Sequence, residues 1–513
     1  MPLLFKLGSE LMNYLEYMQL NPFQKFGYNI GKFFKAVPGA LKKFFCAIGR
    51  FFKNLVLGIG RGVGNYVSRF IKGDWATKLS YIVMGVGNVS KGQVIKGFLF
   101  LLIEVGYIMY MVFFGGAYIA KFGTLGDTAR HMETVGGKHV TVAGDNSMLI
   151  LLYGVLTLVL TAIFFVIYIA NTKSAYKAQQ TVAAGEKPIG FKEELKDLLD
   201  NKFHTTLLAF PTLTISVFTI LPLIFMILIA FTNYNAQHMP PGSLFTWVGL
   251  DTFSEVFKLT DGGAGAASKG YTFIELTKWT IVWAIFATVL NYILGMIVAL
   301  MINKKGIKLK ALWRTLFVVT VAVPQFVSLL LMNQMLAVDG AINVLFKNLG
   351  IIQESVAFLN STPLLARITV IIINCWVGIP YTILITSGIL MNIPADLYES
   401  ATIDGAGPVK SFFKITLPYM LFVTTPYLIT SFIGNINNFN VIYLLSNGGP
   451  NDPNLYQAGR TDLLVTWLFK LTMNSQDYNL AAAVGILVFI VCATLSLITF
   501  NMTKSAKNEE EFS

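Results

Sequence analysis

Residues 399–418 form a polar stretch whose residue types suit docking against another protein rather than bond-making chemistry. It reads Glu-Ser-Ala-Thr-Ile-Asp-Gly-Ala-Gly-Pro from Glu399 and ends on Ile-Thr-Leu-Pro at Pro418. Small side chains allow a partner surface to approach closely, and glycine permits a sharp turn. We therefore expect a helix that begins after Pro394, a turn at Gly405 and a second short helix before Pro418.

The carboxylates and aromatic rings of this stretch have predicted positions of their own. Asp396 and Glu399 are expected in the first turn of the first helix, where the helix dipole favours negative charge. Phe412 and Phe413 are expected to anchor the second helix, with lysines on its exposed face. We expect Glu399 to pair with a basic side chain of the partner. The residues that we assign to docking are Glu399, Ser400, Ala401, Asp404, Gly405, Ala406 and Pro418.

A second set of polar residues lies inside long hydrophobic segments, where Glu104 is the exceptional acidic group. Amides donate and accept hydrogen bonds, and an aromatic face covers the apolar side of a sugar ring. The set favours a neutral, hydroxyl-rich ligand, but such residues also join membrane helices, and both readings stay open. Gly378 and Pro380 are expected to interrupt their helix. The set comprises Gln325, Ser328, Asn374, Trp376, Gly378, Pro380, Tyr381, Ser431, Asn435, Asn437 and Asn438.

The composition is that of a polytopic membrane protein. Of the 513 residues, 55 % are hydrophobic and 13 % are charged, with a mean hydropathy of +0.63, whereas about a quarter of a soluble protein is charged. Apolar runs of about 20 residues, the length that crosses hydrocarbon as a helix, recur along the chain. We predict an all-α fold with about eight transmembrane helices, near residues 97–120, 148–170, 206–231, 280–302, 312–336, 367–391, 417–434 and 480–502.

The distribution of lysine and arginine predicts the orientation. Residues 1–96 contain fourteen Lys and Arg against three Asp and Glu, and cytoplasmic segments accumulate positive charge. Counting spans from a cytoplasmic amino terminus places the lysine-rich loop 303–311, the loop 392–416 and the carboxyl terminus in the cytoplasm. We divide the chain into a basic region over 1–96, three helices and a short outer loop over 97–279, a core over 280–503 and a tail over 504–513.

The amino-terminal region carries a basic amphipathic pattern over residues 30–56. Apolar residues recur there at spacings of three and four, with lysines and arginines between them. Such a helix is expected to lie in the lipid headgroup layer, with packing on the protein's own cytoplasmic face as the alternative and nucleic-acid binding disfavoured by the aromatic stripe. The glycines at 58, 60, 62 and 64 predict a flexible break, and the first span is expected to act as an uncleaved insertion signal.

No residue pattern indicates a redox, metal or enzymatic site. Cys46, Cys375 and Cys492 give no disulfide framework, and the sequence lacks the acidic or histidine-rich cluster that a membrane glycosyltransferase requires. An ion-coupled carrier would need ionisable residues near the bilayer centre and paired internal repeats, and neither is evident. We predict that this chain has no enzyme activity and binds no metal or cofactor.

Several separated motifs from about residue 280 onward resemble the larger permease subunit of the maltose/maltodextrin ABC importer family. The stretch 399–418 resembles that family's coupling loop, which docks into a cytoplasmic ATPase, although Ser400 replaces the usual alanine. The motifs are Asn374-x-Trp-x-Gly-x-Pro-Tyr, Ile393-Pro-x-Asp-Leu-Tyr-Glu, Asp404-Gly-Ala-Gly-Pro, Phe412-Phe-Lys-Ile-Thr-Leu-Pro, Asn437-Asn-Phe, Asn447-Gly-Gly-Pro, Thr461-Asp-Leu-Leu and Leu480-Ala-Ala-Ala.

The resemblance implies the fold of a type I ABC importer permease and a set of partners. These are a second permease with six spans, two copies of an ATPase that uses ATP and Mg, and an extracytoplasmic sugar-binding protein that docks on the outer loop 435–479. The interval 232–279 is too short for the large insertion of the enterobacterial subunit. The chain therefore resembles the Gram-positive version, in which the binding protein is a lipoprotein tethered to the plasma membrane.

The resemblance also implies a membrane sugar site. The family's sugar contacts carry over to Asn374, Val377, Gly378, Tyr381, Ser431, Asn435 and Asn438. Val321 and Gln325 replace a tyrosine and a serine of the family, and Gly434 replaces an aromatic residue. We expect a malto-oligosaccharide, or a related substrate such as a galacto-oligosaccharide, with Gln325 among the contacts. An ion-coupled sugar carrier is the less favoured alternative.

Overall fold

The structure, a computed structural model, describes residues 57–135, 138–258, 267–304 and 306–502, with a few isolated positions before residue 57. The basic helix predicted over residues 30–56 and the tail predicted over residues 504–513 lie outside the described residues. The chain divides into two compact units. The amino-terminal unit is Phe45–Thr252 with Gln476–Ala483, and the carboxyl-terminal unit contains Phe253–Ser475 with Val484–Ser513.

Seven helices in the described part of the chain are long and apolar enough to cross a membrane, and an eighth span results if one sharply bent helix pair counts as one. The predicted α-helical membrane fold with about eight spans is confirmed. The helices are α1 (57–72), α2 (Trp75–Leu79), α3 (Val86–Val89), α4 (Val94–Ala120), α5 (Ser147–Ala183), α6 (Phe191–Leu199), α7 (Phe203–Ile229), α8 (Asp251–Phe257), α9 (Lys269–Asn303), α10 (Lys310–Ala322), α11 (Gln325–Met335), α12 (Ala341–Asn348), α13 (Pro363–Met391), α14 (Ala395–Ile403), α15 (Pro408–Ile436), α16 (Phe439–Ser446), α17 (Leu464–Met473) and α18 (Tyr478–Met502).

The glycine-rich segment before the first span is helical. Residues 57–72 form α1, so the flexible break predicted from its four glycines is wrong. Each glycine lowers helix stability by about 1 kcal/mol relative to alanine, but tertiary contacts outweigh that preference. The rings of Tyr66 and Phe70 pack against Tyr81, with centroids 4.9 and 5.1 Å away.

Glu104 in the first span holds a backbone turn. Its Oε2 accepts a hydrogen bond from the N–H of Met84 at 2.8 Å, and Asn171 Oδ1 accepts one from the N–H of Gly85 at 2.9 Å. Gly85 has a φ of +87°, and a Cβ there would lie 2.0 Å from the carbonyl oxygen of Gly97. The acidic group inside α4 is therefore accounted for by a structural contact.

A β-hairpin interrupts the otherwise helical amino-terminal unit. Strands β1 (His131–Val135) and β2 (Lys138–Val142) pair antiparallel, with His131 opposite Val142. The hairpin lies between α4 and α5, in an interval that the sequence analysis left unassigned. The all-α prediction therefore holds for the described residues apart from this hairpin, whose five-residue strands lack a clear alternation of apolar and polar residues.

Helix α9 is the centre of the carboxyl-terminal unit, because it packs against both α13 and α15. In its amino-terminal half, the buried indoles of Trp279 and Trp283 join Val370 of α13 and Val441 of α16 in an apolar core. Further along α9, Tyr292 and Met296 form a second buried cluster with Met420 of α15. The polar residues of α13 and α15 are therefore arranged around α9.

The break in the membrane helices occurs in the fifth span rather than in the sixth. Val323 is extended (φ −74°, ψ 124°), Pro324 precedes α11, and α10 and α11 meet at 86°. A residue before proline is biased away from the helical conformation. The prediction that Gly378 and Pro380 interrupt their helix is wrong, because α13 continues through both residues. Close packing of α13 against α9 stabilises it through Pro380.

The interval 232–279 contains an isolated bridge and a short helix in its described residues. An isolated bridge pairs Thr232 with Trp247, and the indole N–H of Trp247 donates to the carbonyl of Phe122 at 3.0 Å. The short helix α8 follows, and residues 259–266 lie outside the described residues. The prediction that this interval is too short for a large inserted domain stays a prediction.

Candidate functional site

Residues 394–418, which the family resemblance assigns to coupling and which are called the coupling hairpin below, consist of two helices joined by a tight turn. Helix α14 begins after Pro394, as predicted, and Gly405 has a left-handed φ of +72°, which glycine adopts without strain. The N–H of Ala406 donates to the carbonyl of Ala401 at 2.8 Å and closes the turn. The helix–turn–helix prediction is therefore confirmed at Gly405.

One hydrogen bond and one aromatic ring fix the hairpin to the membrane helices. The hydroxyls of Tyr398 on α14 and Thr416 on α15 lie 2.8 Å apart, and Thr416 is buried. Phe412 packs against the cluster around Tyr292 and Met420, as predicted. Phe413 remains 55 % exposed, so the prediction that both phenylalanines are anchors is wrong for Phe413. The two helices of the hairpin are therefore tied to each other and to α9.

Pro418 lies within a continuous helix instead of opening a new one. A π-helical turn over Phe412–Thr416 leads into the residues that contain Pro418, and α15 continues to Ile436. Proline lacks an N–H donor and its ring crowds the carbonyl of the preceding turn, and a π turn is one way in which a helix absorbs such a local disruption. The second helix of the hairpin and the seventh span therefore form one continuous helix.

The outer face of the hairpin is apolar with charged residues around it. Ile403, Val409 and Phe413 are 86, 71 and 55 % exposed. The carboxylates of Glu399 and Asp404 are exposed as well, although Glu399 lies beyond the first turn of α14, where we had expected it beside Asp396. Apolar patches rimmed by polar groups mark protein interaction sites. The predicted docking residues thus lie on or beside an exposed surface.

Asn374 on α13 has an unsatisfied group deep in the membrane-spanning region. Its side chain is only 4 % exposed, and its Nδ2 has no hydrogen-bond acceptor in the described part of the chain. Leaving such a donor unpaired costs about 1–3 kcal/mol. An orphaned buried amide is a hydrogen-bond donor that a polar ligand could satisfy, and the predicted sugar-binding role of Asn374 stays a prediction.

Asn435 and Asn438 bond within the protein. Asn435 Nδ2 donates to the Thr288 hydroxyl of α9 at 3.0 Å, and its Oδ1 accepts from Asn438 Nδ2 at 3.3 Å. Asn438 Oδ1 accepts from the N–H of Val441 and caps α16. Trp283 donates its indole N–H to the carbonyl of Asn435. These contacts support a helix-joining role, and the predicted sugar contacts of Asn435 and Asn438 stay predictions.

The other predicted sugar contacts differ in exposure. Val377 packs against the apolar core around Trp283, whereas Tyr381, on the same helix, is 49 % exposed. Gln325 is the first residue of α11, directly after the break at Pro324, and is half-buried. Ser431 is half-buried on α15. The break in the fifth span, the sixth span and the seventh span therefore each contribute a partly accessible candidate.

Asn291 is a polar residue that the sequence analysis missed. A Cβ on Gly378 would lie 2.2 Å from Asn291 Nδ2, so glycine is needed where α13 crosses this side chain. Asn291 Oδ1 is buried and has no donor among the described residues. Its signal in the sequence is an amide inside the apolar run 280–302, the same signal that selected Asn374.

The described residues contain no group of three or more His, Cys, Asp or Glu side chains that could hold a metal ion. The middle of the membrane helices around the candidate site also carries no Asp, Glu, Lys, Arg or His: residues 279–303, 368–391 and 417–446 contain none. The chemistry that this region offers is hydrogen bonding by neutral groups and contact with aromatic rings.

Comparisons with known proteins identify the family. Residues 291–504 match the family model of the binding-protein-dependent transport system inner membrane component. The chain is 34 % identical to a maltodextrin transport system permease protein, MdxF, of Bacillus subtilis (strain 168), over 84 % of this chain and 95 % of that protein. It belongs to the maltose/maltodextrin-type ABC importer permeases. It is therefore a transport subunit and not an enzyme.

The chain is also similar to a second curated permease and to a solved transporter structure. A galactooligosaccharides transport system permease protein of Bacillus subtilis (strain 168), GanP, is 33 % identical over 83 % of this chain and 97 % of that protein. A crystal structure of a bacterial ABC transporter involved in alginate import aligns with a TM-score of 0.48 at 22 % identity, covering 61 % of this chain and 98 % of that chain. Sequence identity alone therefore does not separate two neutral oligosaccharide classes for this permease.

A buried ion pair organises the loop 435–479 of the permease. Lys470 Nζ lies 2.7 Å from Asp462 Oδ2 and donates to the carbonyl of Asn447 at 2.8 Å. Asp462 also accepts from the N–H of Gly459 at 2.7 Å and from the Thr466 hydroxyl at 2.9 Å. Burial raises the pKa of the Asp462 carboxyl, and the Lys470 ammonium opposes that shift. Two motifs that are separate in the sequence are thereby joined.

A second, more exposed ion pair lies in the same loop. Arg460 reaches Asp452 Oδ2 at 2.5 Å, and its carbonyl accepts a hydrogen bond from Arg367 Nε at 3.0 Å. Desolvation would raise the pKa of the Asp452 carboxyl, but the N–H of Asn454 and the Arg460 guanidinium outweigh it and hold that pKa below its usual range. The pair is therefore charged at neutral pH and fixes the surface of the loop.

Proposed function

We propose that this permease carries malto-oligosaccharides into the cell. The observation that carries the proposal is the neutral polar lining described above, in which Asn374 presents an orphaned amide in a region without ionisable groups. Sugar hydroxyls both donate and accept hydrogen bonds and satisfy such amides. The 34 % identity to a maltodextrin permease supports this class. A galacto-oligosaccharide is the second candidate, supported by the 33 % identity to GanP.

The partners follow from the family. A sugar-binding lipoprotein delivers the substrate to the outer loop 435–479, a second permease completes the pathway, and two ATPase copies use ATP and Mg. The basic amino-terminal region faces anionic lipid, and both termini are cytoplasmic in the plasma membrane of a Gram-positive bacterium. This orientation is supported by the excess of Lys and Arg in residues 1–96.

The coupling hairpin transmits the movement of the ATPase. Its exposed apolar residues, Ile403 and Val409 among them, enter a groove on the ATPase, and Glu399 pairs with an ATPase arginine beside that groove. Because α15 runs unbroken from Pro408 to Ile436, a displacement at the groove moves the seventh span directly. The hydrogen bond between the hydroxyls of Tyr398 and Thr416 keeps α14 aligned with α15.

The first test reconstitutes the importer in proteoliposomes with its binding protein. We expect maltotriose to stimulate ATP hydrolysis and uptake, and galactotriose to do so weakly or not at all. Glu399→Ala is the matched variant on the hairpin. Because removing one partner of an interfacial charge pair costs roughly 2–5 kcal/mol, we expect uptake to fall by at least about tenfold while the complex still binds maltotriose.

Two results would change the proposal. Stimulation by galactotriose in place of maltotriose replaces the substrate class and leaves the transport mechanism intact. Undiminished uptake by Glu399→Ala at normal expression contradicts the role of Glu399 in coupling. The two outcomes are independent, because the first is read in the wild-type complex and the second in the variant.

Tyr398→Phe tests whether the hairpin must be stiff. The variant loses one hydrogen bond to a buried hydroxyl, about 0.5–1.5 kcal/mol, and lets α14 move relative to α15. We expect fewer sugars transported per ATP hydrolysed, with basal ATP hydrolysis retained. Thr416→Val removes the same bond from the other side, so the double variant should be no worse than either single variant. Additive losses would mean that the two hydroxyls act separately.

A further inference from the structure

Asn291 and Asn374 carry complementary unsatisfied groups in the membrane-spanning part of α9 and α13. Asn291 Oδ1 is an acceptor that lacks a donor, and Asn374 Nδ2 is a donor that lacks an acceptor, in the described part of the chain. Both atoms are buried. Polar groups at membrane depth are strongly driven to find partners, so two complementary orphans on neighbouring helices require a common explanation.

The register of the two helices places these amides in one groove. Asn291 lies against Gly378, and Gly295 lies against Thr382, where a glycine Cβ would be 2.5 Å from the threonine Cβ. Helices α9 and α13 therefore run parallel through this contact. Asn374 lies one helical turn, about 6 Å, from Gly378 and on the same face of α13. The residues Asn291 and Asn374 therefore lie about one turn apart along a single interhelical groove.

We propose that Asn291 is a specificity-determining residue of the sugar site. Its Oδ1 accepts a hydrogen bond from a substrate hydroxyl whose oxygen accepts from Asn374 Nδ2. A hydroxyl is the smallest ligand group that donates and accepts at once. This inference rests on the proposed function, because it takes an oligosaccharide as the ligand. It adds the fourth span to a site predicted only on the fifth, sixth and seventh.

A permanently bound water offers the same chemistry as a sugar hydroxyl, and one feature favours the sugar. Tyr381, two turns beyond Asn374 on α13, is half-exposed and offers a ring to a sugar face. A sugar can therefore place one hydroxyl between the two amides and stack its ring on the ring of Tyr381.

The test uses sugars that each lack one hydroxyl. The full importer in proteoliposomes is supplied with maltotriose and with a series of monodeoxy maltotrioses, and kcat/KM for uptake is measured. We expect wild type to lose about five- to tenfold with one deoxy sugar, the effect of one hydrogen bond. Asn291→Leu should handle that sugar and maltotriose equally, within about twofold. If Asn291→Leu fails to assemble, Asn291→Ala removes the same carbonyl without overfilling the groove.

Tyr292→Phe is the matched control on the same helix. It deletes a buried bond between α9 and α15, 2.8 Å from the Thr424 hydroxyl, and a purely structural loss there should leave the wild-type deoxy profile unchanged. An Asn291→Leu complex that keeps the wild-type profile overturns the inference and assigns the groove to a bound water. A wild type that discriminates against no deoxy sugar overturns it as well.

Uptake of the two trisaccharides by the wild-type complex tests the proposed function before any variant is measured. If galactotriose supports uptake and maltotriose does not, the same comparison is made with monodeoxy galactotrioses, and the expectation for Asn291→Leu is unchanged. If neither trisaccharide supports uptake, the proposed function and this inference are both wrong.

Discussion

Lys470→Met is expected to destabilise the permease by about 3–5 kcal/mol, because it leaves the buried Asp462 carboxylate without its counter-charge. Asp462 is fully buried and Lys470 is only 8 % exposed. The loss also removes the donor to the carbonyl of Asn447, where the chain turns in a left-handed conformation. The free energy of unfolding of the purified chain in mild detergent measures the effect.

Two comparisons distinguish a buried pair from an ordinary one. Lys278→Met removes an ion pair with Glu275 in which the lysine is 67 % exposed, and such surface pairs contribute at most about 1 kcal/mol. Asp462→Asn combined with Lys470→Met removes both charges, and we expect it to recover more than half of the loss. A Lys470→Met variant as stable as Lys278→Met would contradict the buried-pair account.

The spans and the coupling hairpin could be predicted because strong local rules govern them. The hydrocarbon layer fixes the length of an apolar run, and a proline followed later by a glycine marks the helix start and the turn. The predicted turn at Gly405 has the expected left-handed conformation. The predicted position of Glu399 was wrong by one turn. The helix dipole favours carboxylates in the first turn, and because the helix starts after Pro394, only Asp396 lies in that turn.

The break in the membrane helices could not be predicted because proline acts through its surroundings. Pro324 and Pro380 both lie in apolar runs, yet only the first coincides with a break. The sixth span stays helical because α13 packs along α9, and sequence patterns do not report that contact. The same holds for α1, where the Tyr66 and Phe70 contacts outweigh four glycines.

The sequence showed each motif separately. Only the structure shows which motifs contact each other. Asn447-Gly-Gly-Pro and Thr461-Asp-Leu-Leu were separate matches, but a Cβ on Gly448 would lie 2.2 Å from Asp462. The first motif needs glycine because the second places a carboxylate against it. Gly378 and Asn291 are related in the same way, but Asn291 belonged to no motif, so the sequence did not show that Gly378 leaves room for a side chain of another helix.

Gly378→Ala is expected to reduce transport by about tenfold or more and to destabilise the permease by about 1–3 kcal/mol, the usual effect of overpacking. The added Cβ would lie 2.2 Å from Nδ2 and 2.8 Å from Cγ of Asn291, so the amide must move. Gly388→Ala on the same helix is the control, because a Cβ there meets nothing within 4 Å. Uptake of maltotriose and unfolding in detergent are measured for both variants.

Combining Gly378→Ala with Asn291→Ala separates packing from recognition. Removing the Asn291 amide makes room for the new Cβ, so the double variant should regain the stability of Asn291→Ala alone. If Asn291 binds the substrate, uptake stays low even though the fold has recovered. If Asn291 only fills the space that Gly378 leaves, uptake recovers together with stability. Under either outcome the absence of a side chain at Gly378 leaves room for the Asn291 amide, which is why glycine is needed where α13 crosses α9.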